Sequence, residues 1–191
     1  MKKILIISGS PKTDGNTDIA VKWLTDAISK SRAHIEIIKT SKLNYKSLGC
    51  ISCRACQSRQ EYGCVIKDDV QDVLKKTIDA DTIIFATPLY FFGCSAQTKL
   101  IFDKWFSLYK WDNTTNTMKT PLQGKTLAVI ATAYEDIGLD ALEKPFKLTA
   151  EYSNMKFLSL LIKNAGVSGQ IKKLEDAEEK IASFAFNLLS F

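Results

Sequence analysis

The sequence predicts an α/β fold: a doubly wound parallel sheet of five strands with helices on both faces. Three observations predict it. Short apolar runs rich in β-branched residues alternate with longer segments whose apolar residues recur at helical spacing. The apolar runs are nearly continuous, as in strands buried on both faces. Polar loops follow the strands, at the edge where open α/β sheets take ligands.

Lys3 to Ser8 (KILIIS) is the first strand. Asn16 to Ser31 is the first helix, with Ile19, Ala20, Trp23, Leu24, Ala27 and Ile28 on its inner face. Trp23 belongs to that core stripe. His34 to Lys39 is the second strand, and His34, the only histidine, sits at its edge as a structural residue. Asp68 to Ala80 is the second helix, with two aspartates at its favourable N-terminal end. Asp81 to Pro88 is the third strand. Ser95 to Lys110 is the third helix, with Ala96, Leu100, Ile101 or Phe102, and Phe106 inward. Trp111 to Gly124 is a polar excursion, and Lys125 to Thr132 is the fourth strand. Leu139 to Asn154 is a helix kinked near Pro145. Lys156 to Ile162 is the fifth strand, and Gln170 to Ser190 is the last helix. Its inner stripe is Ile171, Leu174, Ile181, Phe184 and Leu188.

Residues 1–191 suit a single domain with a full core. The net charge of +5 is spread along the chain without a dense basic block, which argues against nucleic-acid binding. The apolar run near the start is too short for a signal peptide, and no segment is long enough to span a bilayer. A soluble, cytoplasmic protein is expected, and in that compartment the five cysteines are not a disulfide framework.

Three segments carry candidate chemistry. The loop Ser8-Gly-Ser-Pro-Lys-Thr-Asp-Gly-Asn-Thr17 joins the first strand to the first helix. N–H groups at a helix start lack intrahelical partners and carry partial positive charge, so a phosphate monoester fits there. Ser10, Asn16 and Thr17 add side-chain hydrogen bonds, and Lys12 adds charge. Neither GxGxxG nor GxxxxGK[ST] is present, so this is neither a dinucleotide fingerprint nor a P-loop. A plain strand–helix turn is the simpler alternative for such a loop taken alone.

At the end of the third strand comes Pro88-Leu-Tyr-Phe-Phe-Gly93. Three adjacent aromatics there offer flat apolar groups to a planar ring, although ordinary packing takes at least one. Between about 43 and 66 lies a stretch without periodicity, holding Cys50-x2-Cys53-x2-Cys56-x7-Cys64. Four thiolates at this spacing can close around an iron–sulfur cluster or zinc. Reduced thiols or a reversible disulfide are the alternatives.

GSPKTDGNT after the first strand and TPLYFFGCSAQTKLIFDKW after the third resemble the NADPH-dependent FMN reductase family of flavodoxin-like proteins. The cysteine loop ending in GCVIKDDV is similar to the iron–sulfur flavoprotein branch. The resemblance implies strand order 2-1-3-4-5 and non-covalent FMN, with phosphate on Ser10, Lys12, Asn16 and Thr17, beside Ser8. It implies the isoalloxazine against Pro88, Leu89, Tyr90, Phe91, Phe92 and Gly93, with Thr132, Ala133 and Tyr134 nearby. It implies electrons passing from NAD(P)H to a quinone, flavin, nitro compound or protein acceptor. No side chain is expected to be a catalytic acid or base, since the flavin carries the chemistry. In the iron–sulfur branch Cys50, Cys53, Cys56 and Cys64 would hold a [4Fe–4S] cluster, and the protein would exchange electrons with ferredoxin. A non-enzymatic cysteine-loop redox sensor is the other alternative. A homodimer or homotetramer is expected, through the aromatics Trp105, Phe106, Tyr109 and Trp111. Departures from the family pattern are Cys94, Lys104 in place of arginine, and TAYEDIG without the glycine-rich form usual after the fourth strand.

Overall fold

The computed structural model describes residues 1–112 and 114–190; Asn113, within the polar excursion, and Phe191 lie outside the described residues. The elements run β1 (Lys3–Ser8), α1 (Asn16–Ser29), β2 (His34–Lys39), α2 (Val70–Asp79), β3 (Thr82–Tyr90) and β4 (Gly93–Cys94). They continue α3 (Ala96–Lys104), β5 (Lys110–Asp112), β6 (Thr117–Lys119), β7 (Thr126–Thr132), α4 (Leu139–Tyr152), β8 (Lys156–Ile162) and α5 (Ala177–Ser190). Five parallel strands lie in the order β2-β1-β3-β7-β8, with β4 folded back antiparallel on β3. This is the expected flavodoxin-like sheet.

Strict alternation along each strand feeds two cores. Leu5, Ile7, Ile83, Phe85, Leu127 and Val129 face one core with residues of α2, α3 and α4. Ile4, Ile6, Ile84, Ala86, Ala128 and Ile130 face the other with α1 and α5. Both sides of every central strand are therefore dry, which is why the strands read as unbroken apolar runs.

Four expectations are corrected. The third helix ends as α-helix at Lys104 and tightens into a 3₁₀ turn, Trp105–Leu108. Its buried face is Thr98, Ile101, Lys104, Trp105 and Leu108, whereas Ala96 is exposed and Leu100 and Phe106 are only half-buried. A buried charge decided that face. Lys104 Nζ meets Asp68 Oδ2 at 2.6 Å with both side chains almost wholly shielded, and hydropathy alone turns a lysine outward. The polar excursion is no plain loop, because it contains the hairpin β5–β6. The last helix is broken: Gln170–Lys173 is a 3₁₀ turn, Leu174 is extended, and α5 starts at Ala177. The Ile171 N–H donates to Asn16 Oδ1 at 3.2 Å, which holds the turn against α1. The third strand runs two residues past Pro88 to Tyr90, because β4 returns to pair with its end.

Candidate functional site

The first wall of the site is the β1–α1 loop. Gly9 is required by close approach: a Cβ there would lie 1.8 Å from Thr98 Oγ1. Ser95 caps α3 through Thr98 N–H (3.2 Å) and donates its hydroxyl to the Gly9 carbonyl (2.7 Å), joining this loop to α3. Thr40, just beyond β2, donates to the Ser8 carbonyl at 3.0 Å. The loop is thus fixed from both sides by neighbouring elements.

Its polar side chains have distinct jobs. Ser10 Oγ donates to Asp18 Oδ2 at 2.8 Å, and Asp18 also accepts the Gly15 N–H at 3.3 Å. Lys39, at the carboxyl end of β2, closes the chain with Nζ 2.5 Å from Asp18 Oδ1. Gly15, the N-cap, has no side chain to satisfy the first turn of α1. The N–H groups of Asn16, Thr17 and Asp18 therefore have no intrahelical partner, the arrangement in which a helix start can take an anion. Thr17 and Thr132 share a hydroxyl hydrogen bond of 2.7 Å, tying the loop to the end of β7. Ser8 Oγ is buried and has no hydrogen-bond partner among the described residues. Lys12 is exposed and lines the cleft.

The Asn16 side chain departs from expectation. Both Nδ2 hydrogens are used, on the Ala165 carbonyl (2.7 Å) and the Val167 carbonyl (2.9 Å), while Oδ1 takes the Ile171 N–H. It is a brace between α1 and the segment after β8, so its side chain is spent within the fold and only its backbone N–H is left for a ligand.

The second wall is the β3–β4 hairpin. Leu89 pairs with Cys94 and Tyr90 with Gly93, leaving Phe91 and Phe92 as a two-residue turn. Both have positive φ, 45° and 65°, the region a tight hairpin of this hand demands and one that costs side-chain-bearing residues roughly 1–3 kcal/mol. Phe91 is fully exposed. The Phe92 ring lies on Gly138, where a Cβ would be 2.3 Å from Cδ1, and so faces the β7–α4 loop rather than the cleft. Of the expected ring contacts, Pro88, Leu89 and Tyr90 line the cleft, whereas Phe91, Phe92 and Gly93 do not.

The third wall follows β7. Thr132 and Tyr134 line the cleft. Ala133 is buried and contributes backbone, its N–H donating to the Ile162 carbonyl at 2.9 Å and its carbonyl accepting the Ala165 N–H at 2.8 Å. Those bonds bring in a fourth wall that sequence reasoning missed. Ala165, Gly166 and Ser168 line the cleft, and the Tyr134 ring rests on Gly166, where a Cβ would come within 2.4 Å. The signal was available: this segment follows the fifth strand at the same carboxyl edge and holds a glycine. The enclosed volume is about 280 Å³, near the lower limit for ligand pockets. A wider hollow of about 630 Å³ lies elsewhere, between α3 and α4, away from these loops.

The cysteine loop is separate from these walls. It packs on the turn after α3: Gly63 N–H donates to the Ser107 carbonyl (3.0 Å) and Gln57 Nε2 to the Tyr109 carbonyl (2.9 Å). Lys110 Nζ donates to the carbonyls of Cys56 and Arg59. Cys50 and Cys53 are exposed, Cys56 is buried and Cys64 is half-buried. Burial pushes the Cys56 thiol up; the Gln57 amide and Lys110 oppose this, while Cys50 and Cys64 add to it. Among the described residues, no three His, Cys, Asp or Glu side chains are gathered as a metal-ion site. The four thiols do not form a cluster ligand set in this conformation.

A family model described as NADPH-dependent FMN reductase matches residues 2–160. An iron-sulfur flavoprotein of Methanocaldococcus jannaschii is 39% identical over 102 residues, covering 53% of this chain and 51% of that protein. The chain thus spans about half the length of the curated relatives it matches. Among solved structures, an NAD(P)H:quinone oxidoreductase from Methanothermobacter marburgensis superposes with a TM-score of 0.75 at 16% identity, covering 98% of both chains. An FMN-dependent NADH-azoreductase from Bacillus anthracis, in complex with FMN, gives 0.69 at 17% identity, covering 98% of this chain and 99% of that one. At such identities these two establish the fold alone.

Proposed function

This chain belongs to the NADPH-dependent FMN reductase family, and from that membership we propose that it is an FMN oxidoreductase fed by NAD(P)H. One observation carries the reading. Loops after β1, β3, β7 and β8 meet in one cleft at the carboxyl edge of the sheet, floored by the open N-terminus of α1. The FMN phosphate would lie on the N–H groups of Asn16, Thr17 and Asp18, near Ser10 and Lys12. The unpartnered Ser8 hydroxyl is a spare polar group in the same loop. The ring would lie against Pro88, Leu89 and Tyr90, with Thr132 and Tyr134 opposite.

FMN supplies hydride acceptance and onward electron transfer. The chain's own residues bind and orient it. The Thr17–Thr132 bond sets the spacing between the phosphate wall and the ring wall. Tyr134, held on Gly166, and Tyr90 stand exposed at the mouth of the cleft, where a flat acceptor such as a quinone, flavin or nitro compound would stack. Residues 1–191 act as one FMN-binding unit.

A homodimer is part of the reading. Trp105 and Tyr109 are buried within their own chain, leaving Phe106, Trp111, Leu148 and Tyr152 around the hollow between α3 and α4 as the surface for a second copy. Among the described residues no helix is long and apolar enough to cross a membrane.

The spectrum of freshly purified, anaerobic protein, followed by stopped-flow mixing with NADPH, tests the activity. Flavin bands that bleach on mixing are expected; bands that stay oxidised overturn the NAD(P)H-fed reading. That second outcome would favour an electron carrier coupled to a [4Fe–4S] cluster on Cys50, Cys53, Cys56 and Cys64. The name of the Methanocaldococcus relative, an iron-sulfur flavoprotein, and the spacing of the four cysteines support this alternative. The present arrangement of the thiols does not fit a cluster, so no step is routed through one.

A further inference from the structure

The cup at the start of α1 is backed by an unexpected negative charge: Asp18 lines the neighbouring hollow and reaches the cleft only through Ser10 and Gly15. Asp18 belongs to its first turn, and its carboxylate already takes the two donors that an incoming phosphate would use first: the Ser10 hydroxyl and the Gly15 N–H. A serine hydroxyl has one proton to give. While Asp18 holds it, Ser10 offers the cleft only lone pairs. An uncompensated carboxylate beside a phosphate dianion also repels it. Loop and ligand would then be at odds.

Lys39 resolves the conflict. It comes from the end of β2, level with Ser8 in the parallel register, and its ammonium lies 2.5 Å from the other Asp18 oxygen. Both side chains are mostly shielded, at 19% and 15% exposure, so solvent screens this charge less than that of exposed Lys12.

We propose that Lys39 and Asp18 form the charge device of the phosphate cup. Asp18 positions Ser10 and Gly15 before the ligand arrives. Lys39 cancels the Asp18 charge, so that Ser10 can turn its proton to the phosphate while Asp18 stays seated on the ammonium. Both are positioning residues; neither touches the reacting ring. This inference rests on the proposed FMN site.

The test is a set of titrations of flavin-free, full-length protein with FMN and, in parallel, riboflavin, read by quenching of flavin fluorescence. Lys39→Met is expected to weaken FMN at least tenfold and leave riboflavin within twofold. Asp18→Asn, with Lys39 present, is expected to tighten FMN several-fold. The double variant returns the FMN-to-riboflavin ratio to near that of the wild type, and Lys39→Arg restores most of the loss. A ratio unchanged in all variants, or equal losses for both ligands in Lys39→Met without rescue by arginine or the double variant, overturns the device. A wild type that binds FMN no better than riboflavin overturns the phosphate assignment itself, a different failure.

Discussion

Two polar connections leave neighbouring strands at the same sheet edge, and they are built in opposite ways. The β1–α1 loop has seven residues between fixed ends, and the Gly9 carbonyl, the Ser10 hydroxyl and the Gly15 N–H are each bonded to an element already in place. The connection from β2 to α2 spans thirty residues, begins with one 3₁₀ turn, and carries the cysteines. It borrows its shape from a few anchors: Lys104 on Asp68, Lys110 on two carbonyls, Gln57 on Tyr109. It also contains positive-φ backbone at Gly49, Ser52, Arg54 and Gly63. A short loop inherits its geometry from the sheet, whereas a long one must be pinned by specific distant contacts. That is why the first holds one fixed shape around the start of α1 and the second presents thiols of mixed exposure.

The sharpest way to break the comparison is to remove the pin. Asp68 also accepts the N–H groups of Lys46 and Val70, so it gathers both ends of the cysteine loop onto Lys104. Lys104→Met leaves its carboxylate buried without a counter-ion, and about 3–5 kcal/mol of stability should be lost. Urea unfolding measures it; a loss below about 1 kcal/mol would show that the loop is held elsewhere. Cys56 should also become rapidly accessible to a thiol reagent in this variant.

Next in size is Gly9→Ala. The added methyl collides with Thr98, and overpacking of this kind costs about 1–3 kcal/mol. Because the strain falls on the cup, FMN affinity should drop while Cys53 and Cys56 keep their wild-type reactivity. Changed thiol reactivity would mean that the two connections are coupled.

Ser10→Ala probes the cup alone. Loss of a hydrogen bond to a charged phosphate should cost about 1.5–3 kcal/mol of FMN affinity, roughly ten- to a hundredfold. Riboflavin should bind as before, and parallel calorimetric titrations would reveal an equal loss for both ligands if the phosphate lies elsewhere.

Within the cysteine loop, exposed Cys53 should react well ahead of Cys56. Burial raises the Cys56 pKa, so less of it is thiolate at any given pH and its rate should keep climbing after the Cys53 rate has levelled off. Superimposable pH profiles for the two would contradict the burial of Cys56. The smallest effect is expected for Phe91→Gly. The side chain is fully exposed and the backbone φ is positive, so stability should hold or rise by up to about 1 kcal/mol. Thermal melting checks this, and a clear loss would mean that the aromatic tip is covered in solution.

Much of this molecule was legible in its sequence. The first, second and fifth strands have the bounds their sequence predicts; β1 is dry on both faces after Lys3, whereas β2 and β8, at the edges of the sheet, are only partly covered and keep Glu36 and Ser159 within them. The strand–glycine loop–helix order and the rule of the carboxyl edge placed the first loop and the start of the aromatic hairpin beside one cleft. Those are local signals, carried by neighbours in the chain. Contacts between distant residues decided the rest. Asn16 looks like a phosphate ligand until Ala165 and Val167 take its amide protons. Phe92 looks like a ring contact until Gly138 offers it a flat backbone. Lys104 looks like a surface lysine until Asp68 arrives from the far end of the cysteine loop, and Lys39 gains its place at the cup only when β2 settles beside β1. A side chain's type and spacing determine what it can donate, accept or cover, but which partner it meets depends on the packing of elements far apart in the chain, and periodicity carries no record of that.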